Sequence, residues 1–302
     1  MPAPTALHLA AAPLFVLLWS TGFVGAKYGL PHAEPMIFLT LRFALAASAL
    51  GLWAWAAGEF RRGDGPAHDY GGAVFVGLLM HAVYLGGVFT AISLGAGAAL
   101  TALIVGLQPV ATMILARMIG GERPTRTRAL GMAIGLAGVA LVVARKLTDG
   151  VIGPWQVALC LLALLSISLA SIVQARRGIR SRLAADAAVQ YAAAGGLTLV
   201  ASLLYEDQRV DWSAEFVGAL AWMVIGLSIG AVSLYYILLR RGAATRTASL
   251  FFLVPGVTAA MAAAMFGELF GLVELAGLAA AMLGVRLATA DQAPAQAPAA
   301  RR

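Results

Sequence analysis

Runs of about twenty apolar residues follow one another along nearly the whole chain, separated only by short stretches that hold Arg, Pro or Gly. A helix needs roughly 20 such residues, at 1.5 Å each, to cross the hydrocarbon core of a bilayer. The composition leaves no other solvent for them: 61% of the 302 residues are hydrophobic, 12% are charged and the mean hydropathy is +0.87. Soluble chains carry about 25% charge. Bounding the runs predicts helices near 8–28, 35–57, 71–92, 96–119, 127–146, 154–177, 187–205, 213–240, 243–266 and 271–290. The expected fold class is an all-α integral membrane protein with ten transmembrane helices and no soluble domain. The least marked boundary is Ser93-Leu94-Gly95-Ala96-Gly97, which has no charge; fusing two helices there would invert everything that follows.

Orientation follows from the basic residues, which favour cytoplasmic connections. Sixteen of the Lys and Arg fall after helices two, four, six and eight or at the C-terminal end. Only Lys27, Arg145, Lys146 and Arg209 fall on the other side, and Arg42 lies inside a helix. This asymmetry places both termini in the cytoplasm and the chain in the inner membrane as a multi-pass protein. Met1-Pro2-Ala3-Pro4-Thr5 has no basic n-region, so the first run is expected to remain a helix of the mature protein. The pI of about 10.1 does not imply nucleic acid, because the arginines are dispersed between apolar runs. The single cysteine, Cys160, permits no intrachain disulfide and no cysteine metal site.

An internal repeat divides the chain. A shift of 146 places Pro109 on Pro255, Thr112 on Thr258, Gly121-Glu122 on Gly267-Glu268, Gly131 on Gly277 and Gly138-Val139 on Gly284-Val285. It sets Trp19-Ser20-Thr21 against Leu165-Ser166-Ile167. Two five-helix units are expected, residues 1–148 and 149–290, followed by a disordered low-complexity tail at 291–302. Five is odd, so the second unit must cross in the opposite sense. The connection after Glu122 carries Arg123, Arg126 and Arg128, and the one after Glu268 carries no arginine. Inverted repeats of this kind recur in secondary transporters, with the substrate site near the midplane between the repeats.

The helix count, the 5+5 inverted repeat, Trp19-Ser20-Thr21-Gly22, Leu41-Arg42-Phe43 and the paired segments Pro109 to Glu122 and Pro255 to Glu268 resemble the EamA branch of the drug/metabolite transporter superfamily. Within that branch the sequence is similar to YddG-type exporters of aromatic and other amino acids. The resemblance implies an exporter of small metabolites working by alternating access, as a facilitator or coupled to protons.

Polar groups inside a span need a partner or a cavity. His81, about ten residues into helix three, is the titratable group nearest mid-depth and the candidate proton site, with Tyr84 one turn on. Arg42 lies roughly 10 Å into helix two, where a guanidinium costs on the order of 3 kcal/mol on insertion scales. Its fork suits a carboxylate, although pairing with Glu34 or Glu274 would also satisfy it. Lys27 reads as an interfacial anchor. Trp19, Ser20 and Thr21 stand at mid-depth in helix one, and Gln108 precedes Pro109 as Val254 precedes Pro255. A proline in mid-helix deprives the carbonyl four residues earlier of its donor, and breaks at corresponding positions of two repeats point to a transporter site. The second half offers Ser166, Tyr191, Ser228 and Tyr235 as further substrate contacts. Gly131, Gly135, Gly138, Gly226 and Gly230 fit small-residue helix contacts.

An intramembrane enzyme acting on lipid would need converging carboxylates, an activated nucleophile or a metal cluster, and no span contains them. A carrier of another metabolite or an amphipathic drug fits the same signals as an amino-acid exporter. No nucleotide-binding Gly-x-x-x-x-Gly-Lys-Ser/Thr loop is present. The expectation is a monomer in the lipid bilayer with a small-molecule substrate, no cofactor, no metal and no nucleic-acid partner. Cysteines introduced at Arg61 and at Leu147 are expected to react with an impermeant thiol reagent from opposite faces of the membrane.

Overall fold

The computed structural model describes residues 6–60, 69–119, 124–177, 182–231, 234 and 251–289, with side chains from residue 13 onward. Tyr235, the Gly121-Glu122 pair and the 291–302 tail lie outside the described residues. Helix α1 spans Ala6–Gly29. Eight helices among the described residues are long and apolar enough to cross a membrane: α2 Pro35–Ala56, α3 Tyr70–Ser93, α4 Ala98–Met118, α5 Arg126–Thr148, α6 Pro154–Arg177, α7 Leu183–Tyr205, α8 Ala214–Ala231 and α10 Leu272–Thr289. The shorter apolar α9, Phe251–Phe266, precedes α10. Among the described residues the extended backbone is limited to one isolated antiparallel bridge, Ala33 to Val210. Leu52, Leu162, Leu165, Leu204 and Ile225 point outward from the bundle, an apolar exterior suited to lipid.

The helix ends follow from local chemistry. Pro35 opens α2, where its missing N–H costs nothing. Asp69, Thr125 and Ser213 cap α3, α5 and α8 by accepting from Gly72, Arg128 and Phe216 amides. The uncharged break between α3 and α4 is a true turn: Gly95 takes φ +98°, a conformation other residues rarely adopt.

Two antiparallel helix pairs frame the bundle. In α2 and α7 each helix is capped by the other: Glu206 at the end of α7 accepts from the Met36 and Ile37 amides at 2.6 and 2.9 Å. Glu59, just past α2, accepts from the Ala185 amide at the start of α7 at 2.9 Å. Helices α5 and α10 meet along a glycine seam. A Cβ on Gly131 would stand 2.5 Å from the Ala288 nitrogen, and one on Gly138 would stand 2.6 Å from the Gly277 oxygen. The seam obeys the repeat, since Gly131 also approaches Gly284 as Gly138 approaches Gly277. Among the described residues a Cβ on Gly230 would meet the Ile225 carbonyl of its own helix, and Gly226 faces the Trp222 ring. This stretch of α8, Trp222–Ala231, is wound as wide π turns. Helix α3 has the same irregularity at Leu78–Val83, and a shift of 146 carries one segment onto the other.

Gly138→Ala and Gly284→Ala are expected to destabilise the protein by about 1–3 kcal/mol through overpacking, read as a lower melting temperature in detergent. Gly196→Ala, where a Cβ meets open space, is expected to leave the melting temperature unchanged or slightly raised.

Candidate functional site

Prolines set the geometry of the centre. Helix α4 runs Ala98–Val105, turns at Gly106 and Leu107, and resumes at Gln108 with Pro109 in its first turn. Helix α9 opens with a tight turn at Phe251–Leu253 and continues from Val254 with Pro255 in its first turn. The two breaks abut, because a Cβ on Gly106 would stand 2.5 Å from Cγ of Pro255. Glycine is therefore required at the crossing.

A cavity lies against this crossing. Trp19 and Phe23 wall it from α1, Tyr84 from α3 and Ile167 from α6. Val105, Gln108 and Pro109 of α4 face Phe251 and Val254 of α9 across it. Trp19 and Phe251 meet edge to face with centroids 5.2 Å apart, and Phe15 closes the cluster behind them. The space open to the centre of a water-sized sphere is only about 10 Å³, the amount one water needs.

A second polar group lies beside Tyr84. Arg42 is buried at 6% exposure, and its Nε donates to Ser228 Oγ at 3.1 Å. It pairs with neither Glu34 nor Glu274: Glu34 accepts from the Arg209 amide at 3.0 Å, and Glu274 pairs with Lys146 at 3.6 Å. Both carboxylates are held at helix ends, out of reach of a side chain that projects into the bundle. His81 stands off the cavity. Its ring stacks on Tyr191 with centroids 4.3 Å apart, Phe43 lies 6.0 Å away, and Gln190 is beside it. The Tyr191 hydroxyl donates to the Ser228 carbonyl at 3.4 Å.

The hydroxyls expected to meet substrate are occupied between helices. Ser20 donates to the Val254 carbonyl at 3.4 Å, fastening α1 to the α9 break. Thr21 accepts from the Trp222 indole at 2.9 Å. Ser166 donates to the Leu79 carbonyl at 2.8 Å, serving the π-wound stretch of α3. Gln108 donates to Ser171 at 2.8 Å. Such hydroxyl contacts hold helices together in a medium without water.

Ionic contacts gather at the helix ends. Lys27 is no free anchor: it pairs with Glu268 and lies 4.9 Å from the Phe266 ring centroid. Glu268 also accepts from the Ala98 and Ala99 amides at 3.1 and 3.2 Å. One carboxylate thereby ties together the ends of α1, α4 and α9, the helices that contribute most of the cavity wall. At the other end Arg177 bridges Asp69 and Asp186 at 3.1 and 2.7 Å. The Gly267-Glu268 pair was visible in the sequence, but the partners of Glu268 were not. Phe23, Phe251 and Gln190 carry no motif that separates them from packing residues. No group of His, Cys, Asp or Glu among the described residues has metal-binding geometry.

Residues 8–144 match the EamA-like transporter family. The first half of the chain is an EamA domain. A protein of Salmonella typhimurium described as a probable amino-acid metabolite efflux pump is 28% identical over 286 residues, 91% of this chain and 92% of that one. A protein of known crystal structure, 19% identical, superposes over 93% of this chain and 96% of that one with a TM-score of 0.64. That likeness speaks for the fold. Both matches point to a transporter and not to an enzyme.

Hydrogen bonds to a charged acceptor contribute about 1.5–3 kcal/mol each. Glu268→Gln keeps the shape of the three-helix tie but removes its charge. On a Cys160→Ala background, a Val105→Cys probe is expected to react with a small thiol reagent about tenfold faster when Glu268→Gln is present.

Proposed function

We propose that this EamA protein is a secondary transporter that exports amino acids, aromatic ones included, across the inner membrane by alternating access. The observation that carries the reading is the meeting of two proline-broken helices against an aromatic-walled cavity. Pro109, which cannot donate to the Val105 carbonyl, borders the cavity, and so does Val254 beside Pro255. Polar backbone set among Trp19, Phe23, Tyr84 and Phe251 suits a small solute with one charged end and an apolar side chain. The Salmonella relative, described as a probable amino-acid metabolite efflux pump, supports the same class of solute.

The mechanism rests on ten spans in two inverted five-helix units, 1–148 and 149–290, with both termini cytoplasmic and the chain acting as a monomer. The reciprocal caps of α2 and α7, the symmetric glycine seam of α5 and α10, and the matching π-wound stretches of α3 and α8 support that symmetry. In this arrangement the Glu268 tie closes the outer side. Release requires α1, α4 and α9 to part there. Within the site, Trp19, Tyr84, Gln108 and the breaks at Pro109 and Pro255 touch the solute first. Ser20, Thr21 and Ser166 hold the surrounding helices, and Tyr235 of the same set is a further solute contact.

The protein works as a facilitator running down the solute gradient. Reconstituted in liposomes preloaded with unlabelled amino acid, the purified transporter is expected to take up labelled phenylalanine, leucine or alanine by counterflow. An imposed pH gradient is expected to add no accumulation, and His81→Gln to retain exchange within about threefold, on the order of 0.7 kcal/mol. Uphill uptake driven by the gradient and lost only in His81→Gln would instead make His81 a coupling residue.

A further inference from the structure

Three partly covered cations have carboxylate partners. Arg177, its side chain 6% exposed, bridges two aspartates. Lys146, at 17%, pairs with Glu274, and Lys27, at 32%, pairs with Glu268. Arg42 is buried, at 6% of its whole-residue surface, yet among the described residues its hydrogen bond is the one from Nε to the neutral Ser228 hydroxyl. The Phe43 ring lies 5.9 Å from the guanidinium carbon. Guanidinium carries five N–H donors and no acceptor, and among the described residues no carboxylate pairs with the edge formed by its two terminal nitrogens.

That edge has the geometry to take both oxygens of one carboxylate. Its surroundings connect it to the central cavity. Tyr84 is close enough to Arg42 to act on its charge and also lines the cavity, together with Trp19, Phe23 and Phe251. The site is also one-sided. A shift of 146 places Ala188 where Arg42 stands, so the second half has no matching cation. A solute held by Arg42 therefore has a fixed polarity with respect to the two halves, however alike their backbones.

We propose that Arg42 is the carboxylate-recognising residue of this transporter. The transported solute places its carboxylate on the unused edge of the guanidinium beside Ser228 and lays its apolar part toward Trp19, Phe23 and Phe251. Neutral or purely cationic compounds of the same shape are poor solutes. The transport arm of the test rests on the export reading above; the binding arm does not.

The test uses the full-length protein, as wild type, Arg42→Lys, Arg42→Gln and Ser228→Ala, with alanine, leucine and phenylalanine each set against its methyl ester. Wild type is expected to exchange at least one acid tenfold or more faster than its ester. Arg42→Gln is expected to erase that ratio, and Arg42→Lys, a point charge without the fork, to keep part of it. In detergent, 3-phenylpropionate at millimolar concentration is expected to raise the melting temperature of wild type and Ser228→Ala, but not that of Arg42→Gln. Should Arg42→Gln fail to fold, the wild-type acid-to-ester ratio and the Ser228→Ala shift decide. Equal exchange of acids and esters by wild type, an unchanged ratio in folded Arg42→Gln, or no stabilisation of wild type by the carboxylate overturns the proposal. If no amino acid is exchanged at all while 3-phenylpropionate stabilises wild type through Arg42, the export reading fails and the carboxylate site stands.

Discussion

In hydrocarbon an unpaired backbone carbonyl or amide has no water to turn to, and irregular backbone survives only where protein covers it. That constraint fixes the architecture here. Helices α4 and α9 are each interrupted by a proline, so neither break tolerates lipid. Set against each other, they let Gly106 pass Pro255 without a side chain between them. The neighbouring helices then serve the breaks: Ser20 of α1 reaches the Val254 carbonyl, and Ser168 of α6 approaches the Gln108 carbonyl at 3.5 Å. The cavity exists because two interrupted helices cannot pack as closely as two continuous ones.

Charge is handled by the same logic at a different depth. At the helix ends, carboxylates meet amides or cations: Glu206 and Glu59 cap partner helices, Glu268 ties three of them, and Arg177 joins α3, α6 and α7. The glycine seam of α5 and α10 is different in kind. Its backbones touch along several turns with no side chain to rearrange, which makes that pair a rigid frame against which α1, α4 and α9 work.

Much of this was legible in one dimension. Apolar run lengths located the helices to within a few residues wherever the structure describes both ends. The 146-residue offset matched the glycines and prolines of the two halves by position, but which of them face each other was decided in space. The uncharged turn at Gly95 was legible only as a weak signal, because a positive φ leaves no mark on hydropathy. Polar side chains in the spans were harder. Serine, threonine and glutamine look the same in sequence whether they bind solute or hold a neighbouring helix, and Ser20, Thr21, Ser166 and Gln108 have all found protein partners.

The sequence by itself determined the solvent, the helices, the repeat and the two proline breaks, because each depends on local composition or on covalent structure that no fold can alter. Only the tertiary structure decided which polar groups are spent and which remain. Lys27 found Glu268 across 241 residues of chain, and Arg42 found Ser228 across 186 but no carboxylate. Partnership is a property of distance in space. In a low-dielectric interior a few ångströms separate a neutralised cation from one that still needs an anion.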